Sequence, residues 1–211
     1  MYNLWVIFLA ILLMLLVPYN YKDNAPTSCT IAKTPSHASE KKVIPEDEEK
    51  AFFLETKGDK TLNYRQACAV ESLALLNPDL PVYVLFADGR FDNTTVTLRT
   101  LQQYYKNVNL VHINLEDYVA GTPLESWNRD SGWRQGPYPV THLSDGLRML
   151  TLAKYGGYYF DLDIIFTRPV TYYRNFVAIE DDYTLNGAAI HAERGYPLIQ
   201  MAVEDFSKNY K

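Results

Sequence analysis

Gly156-Gly157-Tyr158-Tyr159-Phe160-Asp161-Leu162-Asp163-Ile164-Ile165-Phe166 sets two carboxylates inside an otherwise apolar run that opens on a double glycine. Tyr158 to Phe160 has the aromatic character of a buried strand. Burying unpaired carboxylates is costly, so the pair needs something to neutralise it. In extended backbone, residues two apart project to the same side, which lets Asp161 and Asp163 share one hard divalent cation, Mn or Mg, through oxygen. Such a cation can bridge a diphosphate and stabilise the charge that develops when a nucleoside diphosphate leaves a sugar. Asp-x-Asp alone carries little weight, because fourteen Asp in 211 residues produce about one by chance. Its setting carries the weight: open α/β sheets place ligands beyond the carboxyl ends of core strands. The competing reading is an exposed surface turn.

The stretch before the double glycine, about Val140 to Lys154, is apolar almost all round, with Leu143, Leu147 and Leu150 on one stripe and Met149, Leu152 and Ala153 beside it. It predicts a buried helix, ended by Gly156-Gly157 because glycine accepts the left-handed backbone of a helix end. Within it, Asp145 and Arg148 are three residues apart and share a face. They read either as an internal salt bridge or as a pair that hydrogen-bonds the hydroxyls of a sugar; Ser144 fits either account.

Further out, strand and helix signals alternate, the pattern of an α/β domain with a mainly parallel sheet. Ala51 to Thr56, Pro81 to Ala87 and Val108 to Ile113 read as strands, and Asn63 to Asn77 and Val96 to Tyr105 as helices. Gly121 to Gly136 shows no regular period and reads as a long loop, whose Trp127 and Trp133, with Tyr138 beside it, offer faces for a base or sugar ring or serve as packing anchors. Phe176 to Ile179 and Leu185 to His191 read as strands, and Pro197 to Asn209 as an amphipathic helix. His112, His142 and His191 have no ligand spacing and read as structural. Cys68 falls in a helical apolar period, which predicts a buried thiol; Cys29 lies in the tether.

Towards the amino terminus, Leu4 to Val17 is an unbroken run of fourteen apolar residues flanked by Tyr2, Tyr19 and Tyr21. As a helix it spans roughly 21 Å of a hydrocarbon core about 30 Å thick, so it fits a signal core as well as an anchor. Small residues spaced for cleavage are missing after it, which favours an uncleaved signal anchor. The organisation is therefore an anchor over residues 1–21, a Pro-rich, charge-blocked tether over 22–50 and a globular domain over 51–211. With the tether in a lumen, Asn93-Thr94-Thr95 is a glycosylation acceptor. A net charge of -5 lacks the basic footprint that nucleic-acid binding needs.

Phe52-Phe53-Leu54-Glu55-Thr56, Val70-Glu71-Ser72, Thr122-Pro123-Leu124, Leu143-Ser144-Asp145, Arg148, Tyr155-Gly156-Gly157-Tyr158, Asp161-Leu162-Asp163 and Leu185-Asn186-Gly187-Ala188 together resemble the alpha-1,4-glycosyltransferase family, over about Ala51 to Lys211 and in order. The resemblance implies a GT-A, Rossmann-like donor-binding domain, a UDP-sugar donor, Mn dependence, retention of anomeric configuration and a single-pass type II Golgi membrane protein acting on a glycosphingolipid. It makes Asp161 and Asp163 the metal-diphosphate pair and Asp145 and Arg148 donor-sugar contacts. It places Phe53, Leu54 and Glu55 near the nucleotide, and Asn186 and Gly187 near the reacting centre. Family members continue past the position of Lys211, so the resemblance also implies a domain incomplete at its carboxyl end. The donor it implies is UDP-galactose or UDP-N-acetylgalactosamine, with UDP-N-acetylglucosamine left open, since the choice turns on pocket shape around one substituent.

Two other classes compete. A haloacid-dehalogenase-type phosphatase also opens on a hydrophobic strand ending in Asp-x-Asp, with the first Asp as nucleophile. Those enzymes set that strand at the start of their core, whereas here the α/β elements precede it. A non-catalytic UDP-sugar-binding protein predicts cation-dependent UDP binding without transfer.

Overall fold

The computed structural model describes residues 44–87, 89–130 and 132–209. The expected anchor, most of the tether, Cys29 and His37 lie outside them. No helix among the described residues is long and apolar enough to cross a membrane.

Six strands form one mixed sheet in the order β3-β2-β1-β4-β6-β5. β1 (Ala51–Glu55), β2 (Val82–Phe86), β3 (Val108–His112) and β4 (Gly157–Phe160) run parallel, with Ala51 opposite both Val82 and Tyr158. β5 (Phe176–Ile179) and β6 (Leu185–Ala192) close the other end antiparallel, with an irregularity between Val177 and Ala178. β1, β2 and β4 bury both faces and so read as nearly continuous apolar runs, whereas β3 at the sheet edge leaves His112 exposed. Alternation then sends Phe52 and Leu54 to one core layer and Ala51 and Phe53 to the other.

The layer around Phe53 is covered by α1 (Tyr64–Leu76) and α2 (Val96–Tyr104). α1 starts with a reciprocal cap: Asn63 Oδ1 accepts from Gln66 N at 3.0 Å and Gln66 Oε1 accepts from Asn63 N at 2.9 Å. The opposite layer is covered by α3 (Leu115–Val119), α4 (Leu124–Asp130), α5 (Pro139–Tyr155) and α6 (Pro197–Asn209). α5 is the helix expected from the leucine stripe, and Leu143, Leu147 and Leu150 are all buried. At its end a Cβ on Gly157, whose φ is +90°, would lie 2.3 Å from Lys50 O, so only glycine fits where α5 hands over to β4.

Three readings need correction. Gly121 to Gly136 is not an irregular loop: it holds α4 and a single 3-10 turn, Trp133–Gln135. Elements this short never complete a detectable period, and their caps are local, with Thr122 Oγ1 accepting from Leu124 N and Glu125 Oε2 from Gly121 N. Cys68 is exposed, because α1 buries the stripe of Ala69, Val70, Leu73 and Ala74 instead. Ile44 to Lys50, read with the tether, packs on the domain: Ile44 belongs to the core and Lys50 is fully buried. Glu49 pairs there with Arg174 and with the buried His191, whose Nδ1 accepts from Asn175 N at 2.7 Å. The structural reading of that histidine is therefore correct.

Candidate active site

β1 and β4 lie side by side although they are far apart in sequence, because the chain crosses to β2 and β3 on one side and returns on the other. Such a switch point leaves a crevice beyond the strand ends. Here it is a cavity of about 470 Å³, walled by Leu54 and Glu55 at the end of β1, Lys57 just past it, Arg65 on α1, Ser144 and Arg148 on α5, and Tyr159, Asp161 and Asp163.

Asp161 and Asp163 both line it, but not by strand alternation. β4 ends at Phe160, and the chain turns back at once, with Ile164 N donating to Asp161 O at 3.2 Å. The turn is fixed to the sheet by Asp161 N, which donates to Ala188 O on β6 at 2.8 Å. Leu162 packs into the core, which leaves Asp163 exposed at the rim and Asp161 half-buried inside it. The surface-turn reading and the ligand reading thus coexist: the pair sits on a turn, and the turn faces a cavity.

No group of three or more His, Cys, Asp or Glu side chains suited to a metal occurs among the described residues. Two carboxylates at an open rim are too few for a closed protein cage. They fit a hard cation such as Mg or Mn, which keeps several waters and completes its shell with substrate phosphate oxygens.

Arg148 is held between two acids, its Nη2 lying 2.9 Å from Asp145 Oδ1 and 3.6 Å from Asp161 Oδ1, with its side chain only 11% exposed. Nη2 also reaches Ser144 Oγ at 3.3 Å, and the guanidinium lies 5.1 Å above the ring of Tyr159. The salt-bridge account of Asp145 and Arg148 is therefore realised. It does not compete with a binding role, because Arg148 borders the first cavity and also a second, of about 400 Å³, that Asp145 lines with Gly187 and residues of α6.

Tyr159 is buried and donates from its hydroxyl to Asp161 Oδ1 at 2.6 Å. Burial pushes the phenol far above its ordinary range, so it stays a protonated donor at neutral pH. Burial also raises the Glu55 carboxyl, which accepts from Lys57 N at 2.9 Å and Gly58 N at 3.2 Å.

The remaining expected residues divide. Leu54, Glu55 and Gly187 border the two cavities, whereas Phe53 packs in the core with its ring 6.3 Å from Phe160. Asn186 lines neither cavity; its Oδ1 accepts from Ala188 N at 2.7 Å and its Nδ2 lies 3.4 Å from Glu180 Oε2. Trp127 and Trp133 stack on each other at 5.3 Å and are buried, so they are packing anchors, while Tyr138 is exposed at the start of α5. Lys57, Arg65 and Tyr159 were not singled out from sequence. The Asn63-x-x-Gln66 capping pattern right after a strand was the available signal for Arg65, since it sets the first turn of α1 at the strand's carboxyl end.

A family model described as a glycosyltransferase sugar-binding region containing a DXD motif matches residues 63–184. Lactosylceramide 4-alpha-galactosyltransferase of Mus musculus is 34% identical over 163 residues, 75% of this chain and 45% of its own. Alpha-1,4-N-acetylglucosaminyltransferase of Homo sapiens is 27% identical over 211 residues, 96% of this chain and 61% of its own. Among solved structures, PaToxG glycosyltransferase shares the fold with a TM-score of 0.56 at 17% identity, over 78% of this chain and 62% of that one. The chain spans about half the length of the galactosyltransferases it matches, 45% for the mouse protein. The matched residues contain one Asp-x-Asp, Asp161-Leu162-Asp163 at the rim of the cavity, and the chain belongs to the glycosyltransferase sugar-binding region family containing the DXD motif.

Proposed function

We propose that this chain is the GT-A donor-binding domain of a hexosyltransferase that transfers galactose or N-acetylgalactosamine from a UDP-sugar, in alpha-1,4 linkage, to a glycosphingolipid. The observation that carries the reading is the pair Asp161 and Asp163 facing one cavity beyond the ends of β1 and β4. The 4-alpha-galactosyl and alpha-1,4 specificities in the relatives' names support the linkage. From an α-linked UDP-hexose, an alpha product means net retention.

A Mn2+ or Mg2+ ion bound there would neutralise the departing diphosphate. Asp161 and Asp163 would hold that ion. Arg148 is anchored by Asp145 through Nη2 and borders both cavities, where its guanidinium suits sugar hydroxyls or phosphate oxygens. Leu54 and Glu55 form the wall on the nucleotide side, with Phe53 contributing backbone at most, and Gly187 borders the sugar side, while Asn186 lies outside both cavities. In this reading residues 1–21 anchor the protein in the Golgi membrane, 22–43 form the stem and 44–211 face the lumen.

Calorimetry of UDP with and without Mn2+, followed by transfer assays with UDP-galactose and UDP-N-acetylgalactosamine on lactosylceramide, tests the proposal. Binding of UDP is expected to depend on Mn2+ and to be lost in Asp163→Asn, with the melting temperature unchanged because Asp163 is exposed. Cation-independent binding, or phosphate release from a phosphomonoester without UDP release, overturns it. Tight UDP binding with no transfer to any acceptor favours a non-catalytic donor-binding protein.

A further inference from the structure

We infer that Tyr159 is a positioning residue: its hydroxyl fixes the carboxylate of Asp161 for the cation, and its ring carries the guanidinium of Arg148. The inference rests on the donor-site reading above and deepens it.

Asp161 stands on a turn just past β4, and among the described residues its carboxylate is met by the side chains of Tyr159 and Arg148 and by no backbone N–H. The Tyr159 hydroxyl, donating to Oδ1 at 2.6 Å, limits its rotation. The hydroxyl is itself rigidly mounted. Tyr159 lies on a central strand, paired with Phe52 on β1 and Ile190 on β6, and only 1% of it is exposed. The same oxygen attracts Arg148 Nη2, which stays 3.6 Å away while it sits 2.9 Å from Asp145. A neutral donor that occupies Oδ1 therefore keeps two opposite charges from collapsing onto each other. Were the hydroxyl absent, Arg148 would close on Asp161, withdraw from Asp145 and use up the charge that the cation needs. Partners that orient a metal-binding carboxylate in this way typically set metal affinity by a factor of roughly 10 to 100.

Tyr118 provides a matched control. It is also buried, its hydroxyl lies 2.9 Å from Thr151 Oγ1, and its ring carries the ammonium of Lys154 at 4.2 Å, yet it borders neither cavity. Tyr159→Phe and Tyr118→Phe in the full chain each remove one buried hydroxyl. Mn2+ affinity in the presence of UDP, read by calorimetry and by the Mn2+ paramagnetic resonance signal, is expected to weaken about 10- to 100-fold in Tyr159→Phe and to stay at the wild-type value in Tyr118→Phe, with similar small losses of melting temperature. Equal Mn2+ affinity in the two variants overturns the inference. So does a Tyr159→Phe chain that fails to fold, which would make the hydroxyl a folding determinant. A wild-type chain that binds UDP without Mn2+ sinks the donor-site reading itself, which separates the two failures.

Discussion

The guanidinium of Arg148 occupies the space that a side chain on Gly187 would need: an added Cβ would come within 2.6 Å of Nη1 and 3.4 Å of Cδ and Cζ. Gly187 has an ordinary backbone conformation, so its role is clearance for a charged neighbour and not a strained turn. A tip of a flexible side chain normally gives way at little cost. This one is held by Asp145 and Ser144, so giving way means leaving the site.

Gly187→Ala is therefore expected to act on binding more than on stability. Displacing a charge-assisted contact of this kind costs about 1.5–3 kcal/mol, or roughly tenfold or more in affinity. UDP-sugar affinity should fall by that factor while the melting temperature shifts by only a few degrees. Unchanged affinity in a folded variant would show that the guanidinium does not serve the donor.

Phe52 to Glu55 and Tyr158 to Phe160 announced the sheet from sequence because buried parallel strands are apolar on both faces, and the buried α5 could be read from its leucines. The position of Asp161 and Asp163 was legible as well, but its geometry was not. The sharing of one side by Asp161 and Asp163 rested on extended backbone, whereas a turn after Phe160 brings them together and folds the apolar Leu162, Ile164 and Phe166 against the core. Arg65 and Tyr159 escaped notice for a different reason. Their roles depend on which strand ends are neighbours, and the pairing of β1 with β4, made by the crossover from β3, is a property of the whole sheet.

The two tryptophans show the same limit, since an aromatic pair in an apparently irregular stretch suggests a stacking platform. In the fold Trp127 is 4% exposed, stacked on Trp133 and edge-on to Phe206 at 5.1 Å. Trp127→Ala should therefore cost about 3–5 kcal/mol of stability, as large aromatic truncations in cores do. Denaturant unfolding measures that loss. UDP affinity, measured at a temperature where the variant is still folded, should remain within about twofold of wild type if the loss is one of packing alone. A selective loss of UDP binding in a variant of normal stability would return Trp127 to the binding site.

Arg65 carries the remaining prediction. Three cationic side chains border the first cavity. Arg148 is engaged by Asp145 and Asp161, and Lys57 by Asp59 at 3.0 Å. Arg65 has no acidic partner among the described residues, so its charge remains available to a ligand. A nucleoside diphosphate carries more negative charge than one divalent cation removes, which leaves an attraction for a guanidinium near its oxygens. Arg65 is exposed, so the contact is screened and its effect should be modest. Arg65→Gln is expected to weaken UDP binding by roughly 5- to 10-fold at low salt, by less at high salt, and to leave uridine affinity unchanged. A calorimetric series of UDP, UMP and uridine against wild type and variant reads this directly. An equal loss for uridine would move Arg65 from the phosphates to the base or ribose, and no loss for any of the three would leave it as an ordinary surface cation.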